Sequence, residues 1–208
     1  YLNQIEEAYF IVGNGSNLLV GDKGYRGVVL KLDGPMGEVE TKGTVIRAGA
    51  GALLSKVAAQ AKEHGLCGME FAAGIPGSIG GAVVMNAGAY GGEMKQVVVS
   101  VRGLDKEGEI LTMDNDTMEF GYRSSAIRNR PIIVLEVTLQ LAAGDAEAIG
   151  MRMEELAAQR RSKQPLEYPS AGSTFKRPEG YFAGKLIMDA GLRGYRIGGA
   201  QVSEKHCG

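Results

Sequence analysis

Two glycine-rich stretches carry the residue types that bind phosphate groups. The first is GNGSN, residues 13–17, which follows the apolar residues 8–12; the second lies within residues 71–92, where small and apolar side chains separate the glycines. Glycine lets another group approach the backbone closely, and successive N–H groups in such loops bind anions. In the second stretch, the residues suited to this are Gly77, Ser78, Gly80 and Gly81. A buried, turn-rich connection would explain the same composition equally well.

The first stretch adds one hydroxyl and two side-chain amides at the end of a predicted strand. Cofactor phosphates commonly bind at such strand ends in α/β folds. Together, the two stretches indicate a ligand with two phosphates, or one long enough to contact both loops.

Two polar side chains elsewhere have the chemistry of a reacting centre. Arg123, in the motif GYRSS, offers a fixed cation for a carboxylate, although most arginines simply lie at the surface. Ser173, in AGSTFK, has no histidine near it in the sequence, and the pattern G-x-S-x-G is absent there, so a Ser-His-Asp hydrolase is not supported. A turn hydrogen bond after Gly172 is the alternative role for this serine.

The composition is that of a globular protein. The chain has 208 residues, of which 44% are hydrophobic and 23% charged, with a net charge of −1. This balance favours neither a nucleic-acid partner nor a membrane-surface partner. No apolar run has transmembrane length. Cys67 and Cys207 are expected to be free thiols in a reducing cytoplasm, and the spacing of cysteines and histidines predicts no metal site.

The elements around the motifs follow from periodicity and turn residues. Residues 43–48 predict a strand that runs through Gly49-Ala50-Gly51 into a helix over residues 52–64. This resembles the start of a dinucleotide-binding fingerprint, but Leu54 replaces its third glycine, so we interpret the helix as scaffold. Other predicted strands cover residues 8–12, 27–32, 96–104, 109–113 and 132–141, the third and fourth forming a hairpin. Further helices are predicted from Asp145, as N-cap, to Pro165 and over residues 182–190.

The composition changes after residue 141. We therefore predict a cofactor-binding domain over residues 1–143 and a smaller substrate-binding domain over residues 144–208. Residues 1–9 are typical of the end of a helix, and Cys207-Gly208 of the beginning of a strand. We expect each domain to lack a part beyond the ends of this chain.

Five motifs occur in order: GNGSNLLV, AGIPGSIGGAVVMNAGAYG, GYRSS, AGSTFKRP and GLRGYRIGGAQVSEKH. With them the chain resembles the UDP-N-acetylenolpyruvoylglucosamine reductase family over nearly its whole length. The resemblance implies an α+β fold, with an FAD-binding domain of the vanillyl-alcohol oxidase type and a smaller α+β substrate domain. The short passage over residues 152–171 favours the family subtype that lacks an inserted loop.

The resemblance also implies a function. The family consists of cytoplasmic flavoenzymes of peptidoglycan synthesis, and hence of cell-wall biogenesis, cell shape and cell division. They use FAD and NADPH to reduce UDP-N-acetylglucosamine enolpyruvate to UDP-N-acetylmuramate. Hydride passes from NADPH through the flavin to the enolpyruvyl methylene carbon. The sequence indicates no oligomeric state.

Site residues are implied motif by motif. Arg123 would polarise the substrate carboxylate, Ser173 would donate the proton, and Tyr122 and Lys176 would bind substrate. Lys176 could equally stabilise the alkoxide of the serine or bind the diphosphate. A third catalytic group, a glutamate, is expected beyond the C-terminal end of this chain. The implied FAD contacts are Gly13, Asn14, Gly15, Ser16, Asn17, Leu18, Gly74, Ile75, Pro76, Gly77, Ser78, Gly80, Gly81, Asn86, Gly88, Ala89 and Tyr90.

Two alternatives compete with this interpretation. One is an oxygen-using sugar or lactone oxidase with the same FAD fold, which would need other substrate motifs in place of GYRSS and AGSTFKRP. The other is a module without enzymatic activity that binds a nucleotide as a regulatory ligand.

Overall fold

The protein, described here from a computed structural model of Leu2 and residues 5–208, contains two compact units, Tyr1–Leu156 and Ala157–Gly208. The division falls inside a helix, later in the chain than the predicted boundary between residues 143 and 144. The assignment of cofactor binding to residues 1–143 and substrate binding to residues 144–208 stays a prediction.

The predicted helix end over residues 1–9 falls partly on Tyr1, Asn3 and Gln4, which lie outside the described residues. Its remaining part is not helical, because a turn covers residues 5–6 and a strand begins at Tyr9.

The first unit consists mainly of strands, with helices between some of them. Its strands are β1 Tyr9–Val12, β2 Val28–Lys31, β3 Val39–Lys42, β4 Val45–Gly49, β5 Leu66–Cys67, β6 Gly88–Ala89, β7 Gly92–Glu93, β8 Val98–Leu104, β9 Ile110–Asp114, β10 Ile133–Gln140 and β11 Ala142–Ala143. Its helices are α1 Leu54–Glu63 and α2 Ile79–Val84, while α3 Ala146–Lys163 begins in this unit. Single 3-10 turns cover Gly34–Gly37, Glu70–Ala72, Met94–Gln96 and Ala126–Asn129.

A five-stranded antiparallel sheet in the order β3-β4-β10-β8-β9 forms the frame of this unit. Alternate side chains of its strands point into the core, as the period of two requires, and Ile46, Val101 and Val137 are fully buried. Leu54 and Val57 of α1 and Val83 of α2 join the same core cluster. Separately, β1 and β2 form a parallel pair in which Val12 lies opposite Lys31.

Gly49 and Gly51 lie where the backbone of residues 32–36 passes very close. The N–H of Gly51 donates to Met36 O over 2.8 Å, and a Cβ on Gly51 would lie 2.6 Å from Leu32 O. The space in front of this Gly-Ala-Gly turn is thus filled by the protein's own backbone. This agrees with the interpretation of the following helix as scaffold.

The second unit contains the end of α3 and the elements α4 Ala183–Asp189, β12 Arg196–Ile197 and β13 Ala200–Gln201. The last two form an antiparallel hairpin. Gly191, with φ +74°, follows α4. A left-handed glycine just beyond a helix is a common terminator, as the sequence predicts.

Most predicted elements are present, with ends displaced by one or two residues. The hairpin β8-β9, the long strand β10 and the N-cap of α3 are confirmed; Asp145 Oδ2 accepts from the Ala148 N–H over 2.8 Å. Strand β3 and helix α2 were not predicted. Helix α2 lies within the second glycine-rich stretch. Two glycines occupy the first turn of this helix, so its sequence resembles that of a loop.

We expect Gly51→Ala to destabilise the first unit by about 1–3 kcal/mol, because the new methyl group has no room beside the Leu32 carbonyl. The measurement is the free energy of unfolding from urea titration. Gly37→Ala is the matched control, since no atom lies within 4 Å of a Cβ at that position. Equal stability of the two variants would contradict this account of the turn.

Candidate active site

The two glycine-rich loops lie side by side in the first unit. A side chain at Gly13 would overlap with Ser78 Oγ, and a Cβ at Gly77 would lie 3.5 Å from Ser16 Oγ. Because residues 13–17 and 74–78 are far apart in the sequence, only the fold brings them together. The loops can therefore contact one ligand, as the sequence predicts.

Several backbone N–H groups in these loops are free to bind such a ligand. Within the described residues, no acceptor is found for the N–H groups of Asn14, Gly15, Ser16, Gly74 and Ser78. Ser78 is only 3% exposed. Buried residues rarely leave a backbone N–H unpaired, so this donor points to a missing partner.

Other N–H groups of the second loop are already used. Gly77 donates to Ile75 O over 3.0 Å, and Gly80 donates to Ala50 O over 2.9 Å. Gly81 donates to Ser78 Oγ over 3.5 Å, which makes Ser78 the N-cap of α2. Of the four residues that the sequence suggests could direct several N–H groups at an anion, Gly77, Gly80 and Gly81 therefore have their N–H groups paired within the protein, and Ser78 does not. Contacts of Gly77 and Gly80 with FAD through atoms other than these N–H groups stay predictions.

The remaining predicted cofactor residues of the first unit border these loops in sequence. Ile75 is half-buried and Pro76 exposed in the second loop, Leu18 is exposed beyond the first, and Asn17 is exposed within it. Farther along the second stretch, Gly88 and Ala89 form β6 and Tyr90 follows with φ +54°. Their contacts with FAD stay predictions.

Asn86 differs from its neighbours because its side chain is already paired. It is 3% exposed. Its Nδ2 donates to Glu93 Oε2 and to Gly121 O, each over 3.1 Å, and its Oδ1 accepts from the Lys95 N–H over 2.9 Å. Both amide protons are used inside the protein.

The GYRSS motif, residues 121–125, forms a tight turn that is hydrogen-bonded to residues 84–88. Gly121 and Ser124 exchange backbone hydrogen bonds of 3.0 and 3.2 Å, and Arg123 inside this turn has φ +53°. Arg123 Nη1 donates to Gly88 O over 3.4 Å, and its guanidinium carbon lies 5.7 Å from the centre of the Tyr122 ring. The buried Ser125 donates from Oγ to Val84 O over 2.9 Å.

Ser173 and Lys176 belong to the second unit. Both are exposed there, and the preceding Gly172 has φ +72°. The N–H of Gly172 donates to Ser170 Oγ over 3.1 Å, so Ser170 makes the turn hydrogen bond that the sequence offers as an alternative role for Ser173. The nearby Arg177 stacks on Phe182, with 3.9 Å between the guanidinium carbon and the ring centre.

In the described part of the chain, three or more His, Cys, Asp or Glu side chains nowhere come together in a way that could bind a metal ion. No helix there has the length and apolar character that crossing a membrane requires.

Comparison with known proteins identifies the family. A model of the FAD binding domain matches residues 1–114, and a model of the C-terminal domain of UDP-N-acetylenolpyruvoylglucosamine reductase matches residues 164–208. UDP-N-acetylenolpyruvoylglucosamine reductase of Caldanaerobacter subterraneus subsp. tengcongensis is 57% identical over 208 residues, which are 100% of this chain and 68% of that protein. The Lachnoclostridium phytofermentans reductase is also 57% identical, with 99% of this chain and 68% of that protein covered.

The fold also resembles that of a solved structure of such a reductase. The crystal structure of UDP-N-acetylenolpyruvylglucosamine reductase from Thermus caldophilus superimposes with a TM-score of 0.87 at 40% identity, covering 99% of this chain and 75% of that one. Fold and site thus define a flavin-dependent oxidoreductase. The chain belongs to the UDP-N-acetylenolpyruvoylglucosamine reductase family. The predicted fold class, the family with its reductase activity, and FAD and NADPH as its cofactors are confirmed.

The structure itself, apart from the similarity to known proteins, shows that the loop residues fit FAD. The N–H of the buried Ser78 has no acceptor among the described residues, and the side chain of Ser78 packs directly on Gly13 of the other loop. A free N–H donor where two glycine-rich loops meet is what a diphosphate needs in order to bind a backbone.

Gly13→Ala should weaken FAD binding about 10-fold or more, because its methyl group pushes Ser78 and the N–H donors beside it out of place. Titration of the apoprotein with FAD, followed by quenching of flavin fluorescence, gives the dissociation constant. Gly21→Ala is the control, since no atom lies within 4 Å of its Cβ. An unchanged dissociation constant for Gly13→Ala would remove this loop from the cofactor site.

Proposed function

We propose that Arg123 and Ser173 carry out, in this chain, the reaction that defines the family. In that reaction, UDP-N-acetylglucosamine enolpyruvate is reduced to UDP-N-acetylmuramate for peptidoglycan synthesis. A hydride adds to the methylene carbon of the enolpyruvyl group, and a proton adds to the neighbouring carbon that bears the carboxylate. The protein must therefore stabilise negative charge at the carboxylate and supply one proton.

The two glycine-rich loops would hold the cofactor. The free N–H groups of Asn14, Gly15, Ser16, Gly74 and Ser78 would bind its diphosphate. FAD, when bound, supplies the redox chemistry by taking hydride from NADPH and passing it to the substrate. The remaining steps depend on the chain's own side chains.

Arg123 would bind the substrate carboxylate. A guanidinium has five N–H donors in a fixed plane, and the hydrogen bond to Gly88 O uses one of them. The others suit a carboxylate, whose negative charge grows as hydride arrives; a preformed cation at that position lowers the barrier. Tyr122, beside the guanidinium, would contact the same end of the substrate.

Ser173 would donate its Oγ proton to the carbon next to the carboxylate. A serine hydroxyl is a weak acid, so it can act only on a strongly basic centre within hydrogen-bond reach. Hydride addition to an enol ether produces such a centre. Lys176 would either stabilise the resulting alkoxide or bind the diphosphate of the substrate, and both roles suit an exposed ammonium group in the same loop.

One observation carries this proposal. Arg123 reaches Gly88, which lies in the second glycine-rich stretch, by a hydrogen bond to its carbonyl. The cation is thereby fastened to the same backbone as the predicted FAD contacts Gly88, Ala89 and Tyr90. We further propose that the enzyme acts in the cytoplasm and serves cell-wall biogenesis, and through it cell shape and division, because the family makes a peptidoglycan precursor. The loop-less subtype also stays a proposal.

Arg123→Lys should slow reoxidation of the reduced enzyme by the enolpyruvyl sugar nucleotide about 100-fold, because the ammonium keeps the charge but loses the planar set of donors. Flavin reduction by NADPH should change less than about 2-fold. Stopped-flow absorbance measures both steps. Arg130→Lys, at an exposed ion pair with Glu119, is the control. Equal losses in both steps for Arg123→Lys would argue against carboxylate binding.

Ser173→Ala should leave flavin reduction nearly intact and slow reoxidation by substrate about 100-fold or more, since the proton donor is lost. The same two-step stopped-flow assay applies. Ser170→Ala removes a hydroxyl from the same loop and breaks only the turn hydrogen bond to Gly172. If both serine variants behave alike, Ser173 has a structural role.

A further inference from the structure

We infer that Asn86 is a positioning residue, which holds the Arg123 turn against the segment that follows α2, rather than a residue that contacts FAD. The inference rests on the proposed role of Arg123. It concerns how that arginine is placed, and it replaces the role in cofactor binding that the sequence motif implies for Asn86.

Three hydrogen bonds join residues 84–88 to residues 121–125. Val84 O accepts from Ser125 Oγ over 2.9 Å, Asn86 Nδ2 donates to Gly121 O over 3.1 Å, and Gly88 O accepts from Arg123 Nη1 over 3.4 Å. Each step of two residues along the first segment adds one bond. Of these three bonds, that of Asn86 is the one that reaches the backbone of the turn, at Gly121 O, so its loss would leave only the side-chain bonds of Arg123 and Ser125.

The orientation of the amide follows from its neighbours. A carboxylate oxygen of Glu93 and the carbonyl of Gly121 both lie at Nδ2, while the N–H of Lys95 lies at Oδ1. Exchanging oxygen and nitrogen would place three acceptors together and leave the Lys95 N–H without an acceptor. Both donors are therefore committed to the protein, and the 3% exposed side chain offers neither proton to a ligand.

The backbone conformation of Asn86 offers a second explanation for an asparagine at this position, besides the hydrogen bonds of its side chain. Asn86 has φ +41° and follows the last residues of α2, a position where helices end in a left-handed residue. Glycine serves this backbone geometry better than asparagine does, but it has no amide. A purely conformational role therefore predicts that Asn86→Gly is harmless, whereas a positioning role predicts that it is not.

The hydrogen bond from the Asn86 side chain matters because the turn that it holds is strained. Arg123 at φ +53° adopts a conformation that non-glycine residues avoid. Such a conformation persists only where surrounding contacts impose it. The paired backbone bonds between Gly121 and Ser124 close the turn, and Asn86 donates to the same Gly121 carbonyl from the segment that follows α2.

The experiment compares Asn86→Asp and Asn86→Gly with Asn115→Asp in the holoenzyme and the apoprotein. Asn115 is the matched control because its Nδ2 also makes two hydrogen bonds, in its case to the backbone carbonyls of Lys95 and Val98, without reaching the Arg123 turn. Stopped-flow absorbance gives flavin reduction by NADPH and reoxidation by substrate, and fluorescence titration gives the FAD dissociation constant. Hydrogen exchange of the apoprotein reports on residues 120–126 independently of activity.

Both Asn86 variants should slow reoxidation about 10-fold or more and speed amide exchange in residues 120–126, while FAD affinity and flavin reduction stay within about 3-fold. Asn115→Asp should leave reoxidation and that exchange unchanged. Asn86→Gly keeps the left-handed backbone and adds no charge beside Glu93, so it tests the inference even if Asn86→Asp does not fold.

Two results would overturn the inference. Weaker FAD binding with normal reoxidation of the bound fraction would make Asn86 a cofactor contact, and a harmless Asn86→Gly would make it a helix terminator only. If the proposed function is wrong, the result differs: the reduced Arg123→Lys enzyme is then reoxidised by substrate at the normal rate. The exchange of residues 120–126 would still report whether Asn86 holds the turn.

Discussion

The first unit depends on backbone hydrogen bonds made where no side chain fits. At the beginning of α2 the Gly80 N–H donates to Ala50 O, and a Cβ on Gly80 would lie 2.8 Å from that of Ala50. Gly51 makes the equivalent bond to Met36. Buried peptide groups must be paired, and here pairing requires direct contact between chain segments. These contacts fix α2 and the loop before it relative to the central sheet.

The cofactor site follows from this close packing. Ser78 caps α2 and lies next to Gly13, so the scaffold that holds the helix also holds the two loops against each other. Donors used in that scaffold, such as the N–H of Gly80, are no longer available to a ligand. Those left over, at Gly74, at Ser78 and in residues 14–16, are the donors that remain available to a diphosphate. Gly51 and Gly80 therefore build the frame, whereas Gly13 makes room for the Ser78 hydroxyl and so lets the two loops meet.

The sequence predicted the regular elements well because apolar alternation and turn residues are local signals. The hairpin β8-β9 and the capping of α3 by Asp145 are examples. It failed at α2, where glycines lower helix propensity and tertiary hydrogen bonds override it. For Asn86 the motif implied the same contact with FAD as for its neighbours, because a motif does not report hydrogen-bond partners; that contact stays a prediction, against which we infer a positioning role. The bonds from Asn86 to Gly121 and from Ser125 to Val84 join residues 35 and 41 positions apart, and no local pattern encodes them.

With the role that we propose for Arg123, its left-handed backbone opposes stability and activity at a single position. A glycine there would relax the turn but remove the guanidinium. Directed evolution for thermal tolerance alone would be drawn toward that exchange. Laboratory lineages selected for heat resistance therefore need a concurrent demand for turnover if the guanidinium is to be retained.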